Sequence, residues 1–242
     1  MVTSLAPGLA VATSLVASLM ILIFRKNPNL RETFSIGAGL LKFGIVCSMI
    51  PEIMGGKIIQ LVIMDVFPGL QLKFTVDAFG LFFGFTSSLL WILTTLYSIG
   101  YMRSLDEHAQ TRYFFSFALA MSSAIGVAFS GNLFTLFIFY ELLTISTYPL
   151  VVHEESEEAM SAGRKYIAYL LTAGTFLLFS TVAVYYYTGT TDFSFGGILA
   201  DKGIPESLLK LLFVTFMIGC TKAAFMPLHS WLPTAMIAPT PV

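Results

Sequence analysis

An all-α membrane protein is the fold class that this sequence predicts, on three observations. Only 11% of the 242 residues are charged, less than half of the roughly 25% of an ordinary soluble domain. Hydrophobic residues make up 56% and the mean hydropathy is +0.82. The apolar residues gather into long runs, several close to the ~20 residues that a bilayer-crossing helix needs. The balance of 13 Lys+Arg against 14 Asp+Glu, with no basic block, leaves no footprint for nucleic acid. Cys47 and Cys220 lie far apart inside apolar runs, so neither a disulfide framework nor a metal-ligand spacing is suggested. No Cys/His cluster is present to hold iron–sulfur, zinc or haem, and neither cofactor nor metal is expected.

About seven runs qualify or nearly qualify as spans: 5–24, 34–54, 78–100, 113–129, 133–152, 165–187 and 208–226. The first has no basic residue ahead of its apolar core and no small-x-small cleavage site, so it reads as a retained span rather than a leader. Residues 55–77 alternate apolar and polar positions around Pro68-Gly69 and predict a hairpin outside the bilayer. Gly131-Asn132 is a tight turn that pairs the fourth and fifth spans antiparallel. The acidic loop with Glu154, Glu155, Glu157 and Glu158 around Ser156 reads as a solvated loop, with Ser156 capping the sixth span and the acids complementing its dipole. With the N-terminus outside, Arg25, Lys26, Arg31, Arg103, Arg112, Arg164 and Lys165 fall on the cytoplasmic side. Lys57, Lys73, Lys202 and Lys210 fall outside, which makes that orientation the favoured one. The chain divides into a two-helix segment with its hairpin, 1–77, and a second segment, 78–242.

Three charged residues sit within the apolar runs: Lys42, Glu141 and Lys222. Each costs about 2.5–3.5 kcal/mol at the centre of a span, so such residues face a protein or water-filled interior. Lys42 stands a third of the way into the second span, where its stem is expected to snorkel to the headgroups. Glu141 stands near the middle of the fifth span and its short stem reaches no interface. Thr144 and Tyr148 share its face at i+3 and i+7, and Pro149 frees the carbonyl of Ile145. Lys222 is followed by Pro227, which frees the carbonyl of Ala223, so the helix is expected to break beside a buried amine. Broken helices next to charges are a recurrent device of ion-handling membrane proteins. His229 is either a proton relay beyond the break or an interfacial residue beside Trp231. Lys165 either links Glu141 to Lys222 electrostatically or anchors the sixth span in the interface.

Taken in order, Tyr140-Glu141-Leu142-Leu143, Ser146-Thr147-Tyr148-Pro149-Leu150, Gly163-Arg164-Lys165-Tyr166, Lys222, the run Pro227-Leu228-His229-Ser230-Trp231-Leu232-Pro233 and Ala238-Pro239-Thr240-Pro241-Val242 resemble the proton-conducting antiporter-like subunits. These are membrane-arm subunits of respiratory complex I and related hydrogenases, and large subunits, especially the D type, of Mrp sodium/proton antiporters. The resemblance runs from about Val76, where Val76-Asp77-Ala78-Phe79-Gly80-Leu81 resembles the opening of the family's third helix. It implies two inverted five-helix repeats, a glutamate on the fifth helix (Glu141) paired with a lysine on the broken seventh (Lys222), and a basic position at Lys165.

The resemblance also implies about seven further helices, so 78–242 is an incomplete antiporter-like segment. A second polypeptide supplying the missing helices is expected as partner, alongside other membrane subunits, the lipid bilayer, H⁺ and, in an antiporter, Na⁺. The implied function is proton translocation within a prokaryotic inner-membrane complex, driven by a cation gradient or by redox chemistry in partner chains. Two other readings stay open: a scaffold or assembly subunit with vestigial charges, and a proton-coupled partner in small-anion uptake.

Overall fold

The computed structural model describes residues 1–194, 196–199 and 202–242. In chain order the elements are β1 (Val2–Thr3), α1 (Ala6–Ile23), α2 (Pro28–Ser48), α3 (Ile50–Met54), β2 (Ile59–Phe67), β3 (Leu70–Val76), α4 (Ala78–Ser104), α5 (Gln110–Ala128), α6 (Leu133–Val151), α7 (Glu157–Thr188), α8 (Glu206–Gly219) and α9 (Trp231–Ala235). A single 3₁₀ turn, Thr221–Ala223, lies between α8 and α9.

Five of the described helical stretches are long and apolar enough to cross a membrane: Ala6–Ile23, Pro28–Met54, Ala78–Ser104, Leu133–Val151 and Glu157–Thr188. The expected seven are therefore met in part. α5 has 19 residues, but Arg112 and the buried Ser116, Ser122 and Ser123 lower its hydropathy. It packs against α1 and α6, so neighbouring helices rather than lipid cover its polar face. α8 has 14 residues, a rise of about 21 Å against a hydrocarbon core of about 30 Å. It ends at Gly219, well before the expected boundary at 226.

The helix starts follow from local chemistry. Asp77 caps α4 by accepting from the Gly80 N–H at 2.7 Å, and Asn132 caps α6 through Thr135 N–H at 2.8 Å. Ser156 caps α7 through Ala159 N–H at 3.1 Å, with Glu157 and Glu158 in the first turn, as the acidic loop implied. Pro149 does not end α6, which runs on to Val151.

The hairpin around Pro68-Gly69 forms as expected. β2 and β3 pair antiparallel from Ile59↔Val76 to Phe67↔Leu70, with irregularities between Val62 and Met64 and between Asp65 and Phe67. β1 adds a parallel strand through Val2↔Ile59; two residues carry too little pattern to announce a strand. The hairpin grips the turn between α5 and α6. Thr75 N–H donates to the Phe129 carbonyl at 2.7 Å and Gly131 N–H to the Lys73 carbonyl at 3.0 Å. Asn132 Nδ2 donates to the Gln71 carbonyl at 2.7 Å. The buried Lys73 reaches Asp192, beyond α7, at 2.5 Å. At the tip Gly69 has φ +80, and a Cβ there would strike the Gly189 carbonyl, so only glycine allows this approach.

At the opposite end of the bundle, Glu32 on α2 accepts from Arg31 at 3.2 Å and from Arg103 on α4 at 2.5 Å. Arg31 also donates to Gln110 and Thr111 of α5. These arginines, read from the sequence only as orientation markers, tie three helices together.

Lys42 overturns its expectation. It is completely buried, with Nζ donating to the Met121 carbonyl at 3.2 Å and lying 4.6 Å from the centre of the Trp91 ring. The tightly packed Gly39 contact with Ile92 brings α2 and α4 together. That contact encloses the stem before it can reach a headgroup.

Candidate functional site

The site is built where α6, α7 and the turn after α8 converge. α6 presents Tyr140 and Glu141 in succession. The two side chains leave the helix about 100° apart, so they meet different neighbours. Glu141 faces α7 at Gly174, where a Cβ would collide with Oε1 of the carboxylate. The glycine is what lets a carboxyl group fit between these two helices. Glu141 Oε1 is buried and has no hydrogen-bond partner among the described residues. A buried lone acceptor of this kind is costly, and each such case calls for an explanation.

Tyr140 faces the break. Its hydroxyl donates to the carbonyl of Gly219, the last residue of α8, at 2.7 Å, and accepts from Lys222 N–H at 3.3 Å. One phenol thus satisfies a carbonyl and an N–H that the end of the helix leaves open. Lys222 sits within the 3₁₀ turn. Its Nζ donates to the Tyr140 backbone carbonyl and lies 3.9 Å from the centre of the Tyr140 ring, a cation–π arrangement. The helix therefore breaks at the lysine, but earlier than expected. α8 stops at Gly219, the residue whose carbonyl Tyr140 caps. Ala224 is left-handed with φ 49, and Pro227 falls in the connection that follows. No ion pair joins Glu141 and Lys222 among the described residues. The ammonium is held by the residue next to the glutamate.

Thr144 on the face of Glu141 is buried and turns its hydroxyl to the Tyr140 carbonyl at 3.2 Å. That carbonyl therefore accepts from both the threonine and the lysine. Further along α6, Thr147 shares a 2.6 Å hydrogen bond with the Tyr166 hydroxyl of α7, and Tyr148 abuts Gly163. Lys165 is not brought to Glu141. Its Nζ donates to Thr234 Oγ1 on α9 at 3.2 Å, and nine helical residues, about 13 Å, separate it from Gly174. Ser230 donates to the Tyr169 hydroxyl at 2.9 Å, and Trp231 Nε1 donates to the Thr221 carbonyl at 3.1 Å. α9 is thereby stitched to α7 and to the break. His229 lies in the connection before α9, with a buried Nδ1 that has no partner among the described residues. A cavity of about 380 Å³ lined by Thr147, Tyr166, Trp231 and the C-terminal residues opens between α6, α7 and α9. At about 30 Å³ per water it has room for several.

Tyr140 was legible in the sequence only as a letter of the motif around Glu141, and Gly174 and Gly219 not at all. Two glycines in apolar helices carry no signal until the partner helices are placed.

The comparisons with known proteins now bear on this geometry. Residues 130–242 match the family model described as NADH:quinone oxidoreductase/Mrp antiporter, transmembrane region. That segment, just under half of the chain, is similar to the NADH:quinone oxidoreductase/Mrp antiporter family. It contains Glu141, Lys222 and the whole of the convergence just described, and the resemblance read from the motifs holds there. Similar proteins include the "Putative antiporter subunit mnhA2" of Staphylococcus haemolyticus (strain JCSC1435), 30% identical over 93% of this chain and 28% of that protein. A probable K(+)/H(+) antiporter protein of Rhizobium meliloti (strain 1021) is 29% identical over 93% of this chain and 23% of that protein. Among solved structures, a chain of the membrane-bound sulfane sulfur reductase, an archaeal respiratory membrane complex, superposes with a TM-score of 0.87 at 24% identity. The match covers 98% of this chain and 49% of that one. A chain of the Mrp complex from Dietzia sp. DQ12-45-1b gives 0.79 at 20% identity, covering 96% and 43%. The chain spans under a third of the two curated relatives and just under half of the solved chains. It is a multi-pass membrane protein with the antiporter-subunit fold over nearly its whole length.

Proposed function

We propose that this chain is a proton-translocating subunit of a multi-subunit membrane complex, of the Mrp cation/proton antiporter type or the related respiratory type. In this reading H⁺ moves by way of Glu141 and Lys222. The observation that carries it is the unpartnered carboxylate oxygen of Glu141, wedged against Gly174 one residue from the carbonyl and ring that hold the Lys222 ammonium. A purely structural glutamate would be expected to have its oxygens satisfied. Here the free acceptor is open to a proton.

In the proposed cycle an ionised Glu141 favours the ammonium form of Lys222 through Coulomb attraction across the Tyr140 backbone. Protonation of Glu141 withdraws that support, and the buried amine then favours giving up its proton to the next acceptor. The two groups titrate as a pair. With no direct ion pair between them among the described residues, the effect of a proton added to Glu141 reaches Lys222 through the field, while the proton that leaves Lys222 is the one passed on. Thr147, Tyr166 and the adjoining cavity offer a hydrated approach from the α9 side. His229, Lys165, Pro149 within the continuous α6 and Pro227 in the connection after the break are proposed to flank this approach. No redox group is assigned to this chain; the remaining helices and any redox or cation-coupling chemistry are proposed to belong to partner segments of the complex.

The test is proton transport by the assembled complex in vesicles. Glu141→Gln and Lys222→Ala are each expected to reduce it by at least tenfold while the complex still assembles. Wild-type transport in both variants would end this reading and favour the scaffold role. Transport of labelled bicarbonate that outlives the loss of cation/proton exchange would favour anion uptake.

A further inference from the structure

Away from the Glu141–Lys222 site, the end of the bundle that carries Arg31 and Arg103 holds a second cluster. Glu107 and His108 stand in the connection between α4 and α5, and His153 follows the end of α6. Glu107 Oε2 lies 3.8 Å from His108 Nδ1 and 3.9 Å from His153 Nε2, and the three ligand atoms all lie within 4.8 Å of one another. The His153 side chain is completely buried, yet neither of its ring nitrogens has a hydrogen-bond partner among the described residues. An imidazole shut away from water with neither nitrogen used is a buried polar group with no account within the chain.

The surroundings fix His153 and leave His108 adjustable. His153 is stacked on the His108 ring, 5.0 Å between centres, and meets the Tyr113 ring edge-on. Arg112 donates to the His153 carbonyl at 2.8 Å and pairs with Glu155. Arg112 is thus engaged by other partners, and no arginine pairs with Glu107 among the described residues.

We propose that Glu107, His108 and His153 form a site for a divalent transition metal, Zn²⁺ being the chemistry they suit best. Two imidazoles and one carboxylate are a recognised zinc donor set that leaves a fourth position to water. Ligand atoms about 2.0–2.1 Å from such an ion stand roughly 3.3 Å apart, so the cluster must close by about 0.5–1.5 Å. Rotation of the half-exposed His108 ring about its soft χ2 torsion, with a turn of the partly exposed Glu107 carboxylate toward the fixed His153, supplies that movement. A bound ion would join the α4–α5 connection to the end of α6, the helix that carries Glu141, and would use the His153 nitrogen that the fold leaves idle.

The experiment takes the intact membrane complex containing this chain, strips it with chelator and titrates it with Co²⁺ and then Zn²⁺, reading the visible Co²⁺ spectrum. The expected result is one equivalent of low-symmetry Co²⁺ per chain, displaced by Zn²⁺. Affinity should fall more than about 100-fold in His108→Ala, beyond the cost of losing a supporting partner. His108 is half-exposed, so this variant should fold; His153→Ala and Glu107→Gln should follow it. Equal binding by wild type and His108→Ala, or no saturable binding by wild type, would overturn the site and leave a bridging water at His153 as the occupant.

Discussion

Glu141 and Lys222 are held differently, and the difference shapes what each substitution should do. The glutamate is confined by shape. Gly174→Ala would push a methyl group into the carboxylate, and overpacking of this kind costs about 1–3 kcal/mol. We expect that variant to assemble with a lowered melting temperature and with transport reduced as far as in Glu141→Gln, read by thermal unfolding and vesicle assays together. The lysine is confined by the Tyr140 backbone and ring, which Tyr140→Phe retains. That change removes the hydroxyl's bonds to the Gly219 carbonyl and to the Lys222 N–H, each worth about 1 kcal/mol. Its expected phenotype is a modest loss of stability with transport largely kept. Lys42 is held much as Lys222 is, by one carbonyl and an aromatic face, with no carboxylate paired to it among the described residues. Lys42→Met conserves volume and removes a buried charge, so we expect stability equal to or above wild type in the same melting assay. A loss of several kcal/mol would show that the ammonium is held by more than the Met121 carbonyl and Trp91.

At the scale of elements, the sequence placed the starts of α4 and α6, whereas α2 and α7 begin at Pro28 and Glu157, ahead of the expected 34 and 165. Asp77, Asn132 and Ser156 cap their helices through a side chain to a nearby N–H, and of these Ser156 is legible as a cap from its neighbouring letters. Ser156→Ala should cost about 1 kcal/mol, measurable as a lower unfolding temperature without loss of transport. The end of α8 was misplaced because its cause is remote: the Tyr140 hydroxyl takes the Gly219 carbonyl from across the bundle, well before the proline that suggested the break. Lys42 was misjudged for a related reason, since stem length says where an amine can go and only the packing of α2 on α4 says that it is enclosed. The Glu107–His108–His153 cluster escaped notice because all of α5 and α6 separates its members, and no ligand spacing survives such a gap.

For the whole molecule, the fold class, the hairpin and the site charges were readable because each expresses a strong local rule: apolar length, alternation, or a charge where oil is expected. The count of spans was not, since α5 holds its place by burial among helices rather than by hydropathy. The two ends of the bundle are secured separately. The hairpin and Lys73–Asp192 clamp one end, and Arg31, Glu32 and Arg103 the other. Asp192→Asn leaves the buried Lys73 ammonium with a weaker partner and should destabilise the hairpin end by about 1.5–3 kcal/mol. Hydrogen exchange should then rise in β3 and at the α5–α6 turn while the Arg103 end stays protected. The break between α8 and α9 lies between these anchors, in a region where one carbonyl, one ring and one unpartnered carboxylate set the field.

The most direct measurement is the infrared difference spectrum of the reconstituted complex during turnover, followed in the carboxyl C=O stretching region. The account predicts a protonated-carboxyl band that comes and goes with transport, vanishes in Glu141→Gln and shifts in Lys222→Ala. A turnover spectrum in which Glu141→Gln removes no carboxyl band while transport proceeds would contradict it.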